Sequence, residues 1–240
     1  MELIHDILEN RKQIEKSINQ HGFFAEHNFM HYSYQEDEDS KSVFVSFDDN
    51  KGLMCLKDRY DNTWELFSEA LAPKEEQVKL IDNFLSYAFK KDNAKKVSIE
   101  VTSPTRKQIL KQLKNKYHIC NLNYSLVWPI FDMNEWKPEL PGKRFKKLRN
   151  IVNRFNKYHK VEVKDSKDIP KEQLKQIITD WTKTRLASDR VHKEPFYNLI
   201  NNGFKGCDYA RTLIVNNQPC TITAGWKIPN SNNYYSELEY

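Results

Sequence analysis

Between Leu140 and Lys160 the chain reads LPGKRFKKLRNIVNRFNKYHK, and from Lys143 onward that stretch holds eight Lys or Arg and no Asp or Glu. The formal net charge of the whole chain is +5, so without those eight the remainder sums to −3. The basic character is local, and a local charge needs a reason. Pro141 and Gly142 punctuate the start of a helix. Phe145, Leu148, Ile151, Val152 and Phe155 share one arc, roughly a third of the circumference at ~100° per residue. Lys143, Lys146, Lys147, Arg154 and Lys157 share the opposite arc. The pattern predicts a helix that docks by its aromatic and aliphatic face and presents a cationic ridge. Arg144 falls inside the apolar arc, so either the helix has not begun there or a guanidinium points into a cleft beneath it. Two readings stay open: a solvated surface helix, or an anion-binding ridge for phosphate, nucleic acid or a lipid headgroup.

At 240 residues the chain has room for one large domain or two small ones. A hydrophobic content of 39% with 12% aromatic residues supplies a packed core, and the charges are balanced enough to argue against wholesale disorder. No apolar run approaches the ~20 residues that a membrane-spanning helix needs. The first residues, MELIHDILENRKQ, are amphipathic and mildly acidic without a signal-peptide pattern, so a cytoplasmic protein is expected. Cys55, Cys120, Cys207 and Cys220 are scattered with no CxxC pair, which argues against disulfides and a zinc site; Cys207 and Cys220 read as core thiols.

In chain order, Glu2 to Asn19 reads as a helix. Phe23 to Tyr34 is aromatic-rich with a strand toward its end. His27 and His31 are four apart, but Asn28 stands where a His-Glu-x-x-His motif has Glu, so packing or surface roles are preferred over metal binding. A hairpin follows (Val43 to Phe47, Leu53 to Lys57), then a strand at Thr63 to Ser68. A helix runs from Pro73 to about Lys90. Lys96 to Val101 is a strand, Ser103-Pro104 opens a helix, and Ile119 to Phe131 is a long strand. Asp132 to Pro141 reads as a stiff linker. Beyond the basic helix come a short strand at Val161 to Val163 and a helix from Lys171 to Leu186. Arg185 on that helix's apolar face either snorkels or lines a pocket. Glu194 to Asn201 is a short helix. Strands follow at Tyr209 to Val215, Cys220 to Ile228 and Tyr234 to Tyr240. A hairpin plus third strand thus occurs in both halves, a repeat of element order rather than of sequence. The last strand reads as an edge without its neighbour, which suggests a fragment or a sheet completed by a partner.

The segment LPGKRFKKLRNIVNRFNK resembles the opening helix of the catalytic domain in the phosphatidylglycerol lysyltransferase C-terminal-domain family, through Gly142, Lys143, Phe145, Arg149, Asn150, Asn153 and Phe155. The match is sharp over about twenty residues. The resemblance implies an α/β fold with mixed sheets, two GNAT-like (acyl-CoA N-acyltransferase-like) domains in tandem, that moves an aminoacyl group from tRNA to an acceptor. Residues 1–134 would be the first domain and 140–240 the second, incomplete at its C-terminal end. A coenzyme-A-using GNAT has a glycine-rich pyrophosphate loop after its fourth strand. Here that junction is Ala70-Leu71-Ala72-Pro73-Lys74-Glu75-Glu76, without glycine and with two carboxylates, so acetyl-CoA binding by the first half is not expected.

Tyr235, Glu237 and Glu239 alternate onto one face of the last strand. Glu237 and Glu239 are either a general base for an attacking amine or hydroxyl or two solvent-facing edge glutamates. No Gly-x-Ser-x-Gly, Walker loop or His-Glu-x-x-His occurs. The resemblance therefore suggests direct acyl transfer without a resident cofactor or metal, with aminoacyl-tRNA as the donor substrate. Lys143, Lys146, Lys147 and Arg154 would grip tRNA phosphates. Arg144, Arg149 with its neighbour Asn150, or Arg185 would reach the acceptor end or an acceptor phosphate. Glu237 or Glu239 would take the proton. The acceptor would be a lipid or another molecule, and peripheral contact with anionic lipid is a further expectation. The alternatives are an acetyl-CoA-dependent N-acetyltransferase and a non-catalytic nucleic-acid or anionic-surface binder.

Overall fold

The computed structural model describes residues 1–185 and 193–239, the side chain of Glu239 excepted. Two sheets organise it. The first has the order β1-β2-β3-β4-β5 and the second β6-β7-β8-β9. In the first, β1 (Glu2–Ile4), β2 (Ser40–Ser46), β3 (Gly52–Asp58) and β4 (Thr63–Leu66) run antiparallel to their neighbours, and β5 (Lys96–Ile99) lies parallel to β4. The parallel pair needs a crossover, which is α3 (Gln77–Lys90), and α4 (Ser103–Leu113) follows β5. In the second, β6 (Val161–Asp165), β7 (Tyr209–Val215), β8 (Gln218–Lys227) and β9 (Tyr234–Glu239) are antiparallel throughout.

The first sheet is covered on both faces, which is why β2 and β3 read as almost unbroken apolar runs. Val43, Val45, Leu53 and Cys55 meet Val78, Ile81, Phe84 and Leu85 of α3 on one face. Phe44 and Met54 point the other way, into Ile14 and Ile18 of α1 (Arg11–His21) and Phe29 and Tyr32 of α2 (Phe29–Tyr34). The second sheet packs on α6 (Lys171–Lys183) and α7 (Glu194–Asn201) through Leu174, Ile178, Leu199 and Ile200.

Four expectations from the sequence are corrected. The apolar period at the N-terminus is split: Glu2–Ile4 pairs with β2 as a strand, and the helix begins only at Arg11. An open sheet edge outcompetes the helical periodicity there, and the Asp6 carboxylate accepts the Glu9 N–H to turn the chain between them. The segment ending at Tyr34 is the helix α2, capped by the Asn28 side chain, which accepts the His31 N–H. Ile119 to Phe131 forms no strand: it finds no ladder partner, and Val127, Ile130 and Phe131 are exposed. Cys220 is exposed rather than a core thiol. The other predicted strands and helices are present to within a few residues; the expected helix end at Leu186 lies outside the described residues.

The six residues of α2 belong to both halves. Phe29 and Tyr32 pack into the core on the first sheet, Tyr34 into the core of the second, and Met30 touches both. Around it a seam closes. Trp226 Nε1 donates to the Ala25 carbonyl at 2.7 Å, and the Tyr34 hydroxyl donates to the Lys205 carbonyl. The Asn230 side-chain amide donates to the carbonyls of Asn19 and Gly22, and that of Asn28 to the carbonyl of Gly206. Gly206 has φ +89, and a Cβ there would stand 2.4 Å from Met30 Cβ. Gly203 also has a positive φ, +63, but has open space around it. Gly203→Ala is expected to cost about 1 kcal/mol from backbone strain alone, whereas Gly206→Ala adds a clash with the seam and is expected to cost roughly 2–4 kcal/mol. Urea denaturation of the two variants checks this; equal losses would mean the Gly206–Met30 contact does not hold the halves together.

Candidate functional site

The seam brings titratable groups together that lie far apart in the sequence. The His31 ring from α2 stands 3.8 Å from the Glu237 carboxylate of β9, both side chains mostly buried. Burial pushes the His31 pKa down, with Glu237 pulling it partly back, so the ring is neutral near pH 7. Glu26, in the loop before α2, has its carboxyl pushed up to about 7, chiefly by burial; the charges of Glu100, Glu237 and Glu69 add to the rise. Glu100, just after β5, is likewise pushed up to about 7, by burial and then by Glu65. Glu69 is fully buried. One of its oxygens accepts from the Thr102 N–H and hydroxyl, while its Oε2, like Oε2 of Glu26, finds no hydrogen-bond partner among the described residues.

Aromatic rings wall this acidic spot. His31 lies 4.9 Å from the Trp226 ring, Trp226 lies 5.3 Å from Tyr235, Tyr235 lies 5.2 Å from Trp128, and Trp128 stacks on Phe24 at 5.6 Å. Rings beside carboxylates form a surface suited to an ammonium group, attracted by the ring faces and by the charges. His27 has a different task. Its Nδ1 accepts from the N–H groups of Phe23 and Phe24, its Nε2 donates to the Glu69 carbonyl, and burial holds its pKa at about 4. It is a neutral clamp on the loop that carries Glu26. Among the described residues no group of His, Cys, Asp and Glu is arranged to hold a metal ion.

Two recesses open along the seam. The inner one, lined by His31, Tyr34, Phe196, Cys207, Trp226 and Glu237 among others, has room of about 10 Å³, the space of one water or one hydroxyl. The outer one, about 550 Å³, shares Asn28, Lys205 and Gly206 with it and is large enough for a ligand.

The basic stretch is placed elsewhere. Lys143–Phe145 forms a 3-10 turn leading into α5 (Lys146–Tyr158). Its cationic ridge of Lys143, Lys146, Lys147, Arg154 and Lys157 is on the surface, but none of these residues lines either recess. The expected docking face is not docked: Leu148, Ile151, Val152 and Phe155 are 39–55% exposed and join none of the three core clusters. Arg144 lies over the Phe145 ring and 3.6 Å from Glu135 rather than in a cleft. Arg149 folds back, donating to the carbonyls of Leu140 and Gly142, and so ties down the entry to α5 next to Asn150. Arg185 is exposed, lies over the Trp181 ring and lines neither of these two recesses. On β9 the expected alternation is interrupted. Ala224 pairs with Leu238 and Gly225 with Ser236, which leaves Glu237 as the extra residue of a bulge. The bulge sets Glu237 toward His31, while the side chain of Glu239 lies outside the described residues.

The sequence reading named Glu237 but missed Glu26, Glu100 and the aromatic wall. Glu26 was visible as the lone carboxylate within the aromatic run Phe23 to Tyr34; Trp226 and Trp128 carried no local signal. Burial also gives Glu26 a pH signature. Below about pH 4.5 it is protonated folded or unfolded and costs nothing. Between 4.5 and 7 only the unfolded chain ionises, so native stability falls, and above 7 the loss is constant at no more than about 3 kcal/mol. Glu26→Gln is expected to melt above the parent protein at pH 8 and level with it at pH 4. A melting difference that does not change with pH would contradict this.

The junction after β4 is folded inward: the Leu71 N–H donates to the Gly52 carbonyl, and the Gln77 side chain donates to the carbonyls of Ala70 and Ala72. No helix among the described residues is long and apolar enough to cross a membrane. Comparison with known proteins adds the family. No curated protein matches the chain. It is similar in fold to the structure of L-PGS from Bacillus licheniformis, with a TM-score of 0.59 at 12% identity, covering 95% of this chain and 65% of that one. It is also similar to the C-terminal domain of a protein described as a lysylphosphatidylglycerol synthetase from Agrobacterium fabrum, with a TM-score of 0.57 at 15% identity, covering 96% and 68%. The chain thus spans about two thirds of the length of these relatives and shares with them the GNAT-like α/β fold of two sheets. A family model, phosphatidylglycerol lysyltransferase C-terminal, matches residues 25–232, and the chain belongs to that family.

Proposed function

We propose that this chain is the transfer body of an aminoacyltransferase that takes an aminoacyl group from the ester of an aminoacyl-tRNA and passes it to a hydroxyl of a lipid, with lysine and phosphatidylglycerol as the pair the family name suggests. The observation that supports it is the Glu237–His31 pair in a water-sized recess; the family match over residues 25–232 covers His31 and ends five residues before Glu237.

The chemistry is a transesterification that needs one base and no cofactor. The acceptor hydroxyl fills the inner recess. Glu237 takes its proton as the oxygen bonds to the ester carbonyl carbon. The tetrahedral carbon then expels the ribose oxygen, which takes a proton back. The neutral His31 ring borders the Glu237 carboxylate at 3.8 Å, too far for a hydrogen bond, and shares in its burial. The ammonium of the aminoacyl group sits against Glu26 and the rings of Trp226, Tyr235 and Trp128, where its charge favours the ionised form of Glu26 that burial opposes. The cations Lys143, Lys146, Lys147 and Arg154 of the α5 ridge contact the tRNA phosphates at a distance from the reacting centre. In this reading the first domain, residues 1–134, supplies Glu26 and His31, and the second, from residue 140 onward, supplies Glu237.

Transfer from labelled lysyl-tRNA to phosphatidylglycerol vesicles tests the assignment. Glu237→Gln is expected to lower the rate about 100-fold or more while leaving tRNA retention on filters unchanged; full activity in Glu237→Gln removes the base. For the ridge, filter binding across a salt series is expected to show a log–log slope that falls by about 0.7–0.9 for each of Lys146 and Lys147 changed to Gln. A slope that these changes leave alone would take the ridge out of the tRNA contact.

A further inference from the structure

The outer recess is lined mainly by cations, whereas the inner one sets Glu237 beside the shared Lys205. Its walls include Arg11 from α1, Lys205 from the turn before β7, and Lys227 at the end of β8. The acid among its lining residues is Glu15, which already binds Arg11 Nε at 2.8 Å. That bond, with Phe29 beneath the guanidinium at 5.1 Å, fixes Arg11 and leaves it further N–H donors. Lys205 and Lys227 make no ion pair among the described residues; nearby, the Asp208 carboxylate is engaged by the backbone N–H of Lys227. Three cations contributed by both halves therefore converge on a space of about 550 Å³ that adjoins the inner recess.

We propose that Arg11, Lys205 and Lys227 form a binding site for one phosphodiester of the substrate, held at the mouth of the seam so that the reacting hydroxyl or ester reaches Glu237. A phosphodiester carries one diffuse negative charge on two oxygens, which suits a fixed guanidinium flanked by two mobile ammonium groups. The site is separate from the α5 ridge and needs both halves of the chain. It rests on the proposed aminoacyl transfer for its purpose but not for its measurement. Two substrates of that reaction carry such a group next to the reacting atom: the 3′ end of a tRNA and a glycerophospholipid headgroup.

The experiment is calorimetric titration of the full chain with a CCA trinucleotide in one arm and glycerophosphoglycerol in the other, at fixed ionic strength. One of the two is expected to bind, and Lys205→Gln/Lys227→Gln to weaken it about tenfold or more, while Lys205→Arg/Lys227→Arg retains it and Lys146→Gln/Lys147→Gln leaves it unchanged. Both lysines are exposed, so the melting temperature of the Gln variant is expected to match that of the parent. Binding of the trinucleotide assigns the site to the nucleic acid, and binding of glycerophosphoglycerol assigns it to the lipid. No binding of either, or binding that the double Gln variant does not weaken, overturns the site. Failure of the transfer assay with binding intact would instead count against the proposed reaction alone.

Discussion

The hydrogen bond from Trp226 Nε1 to the Ala25 carbonyl is the contact on which the arrangement turns. It joins β8 of the second sheet to the loop that precedes α2, and both of its atoms are buried, so breaking it would leave an indole N–H and a carbonyl without water. With it in place, α2 lies between the two cores, Gly206 meets Met30, and the Asn230 amide holds the end of α1. The two sheets then share one wall. Without that wall, Glu237 and His31 would belong to separate surfaces.

The same closure explains why acids sit where they are unfavourable. Glu26, Glu69 and Glu100 would be stable on the surface, yet each is buried or partly buried, and two of them keep an oxygen without a partner. Buried carboxylates without partners weaken a fold. A cationic ligand placed against them would relieve the cost, so the site favours binding at the expense of stability. The aromatic rings from Phe24 to His31 give that ligand a dry wall. Arg11 and Lys227 lie just outside, and Lys205 borders both recesses, so cations flank the acidic spot along the seam.

Much of the fold was legible in the sequence because it is local. The hairpin of β2 and β3, the amphipathic α3, and the three strands that end the chain follow from period and turn residues. What was not legible is what the tertiary structure decides. Leu3 and Ile4 fit a helix until an edge strand needs a partner. Asn28 is a helix cap that reads, beside two histidines, as part of a broken metal motif. Ile119 to Phe131 alternates like a strand but has no neighbour here. At the site, Glu237 could be named from its strand. Its partner could not, because nothing local links it to His31, which is 206 positions earlier. The basic stretch was conspicuous in composition, yet it lines neither recess, so a strong local charge need not coincide with the cavities of the fold.

The central claim is that the seam between the two sheets receives the aminoacyl end of the donor. A crystal structure of the chain with a non-hydrolysable 3′-aminoacylamino adenosine tests it most directly. The account predicts the amino group beside Glu26 and the aromatic rings, with the carbonyl carbon within reach of Glu237. Ligand density along α5 alone, with the seam unchanged, would contradict it.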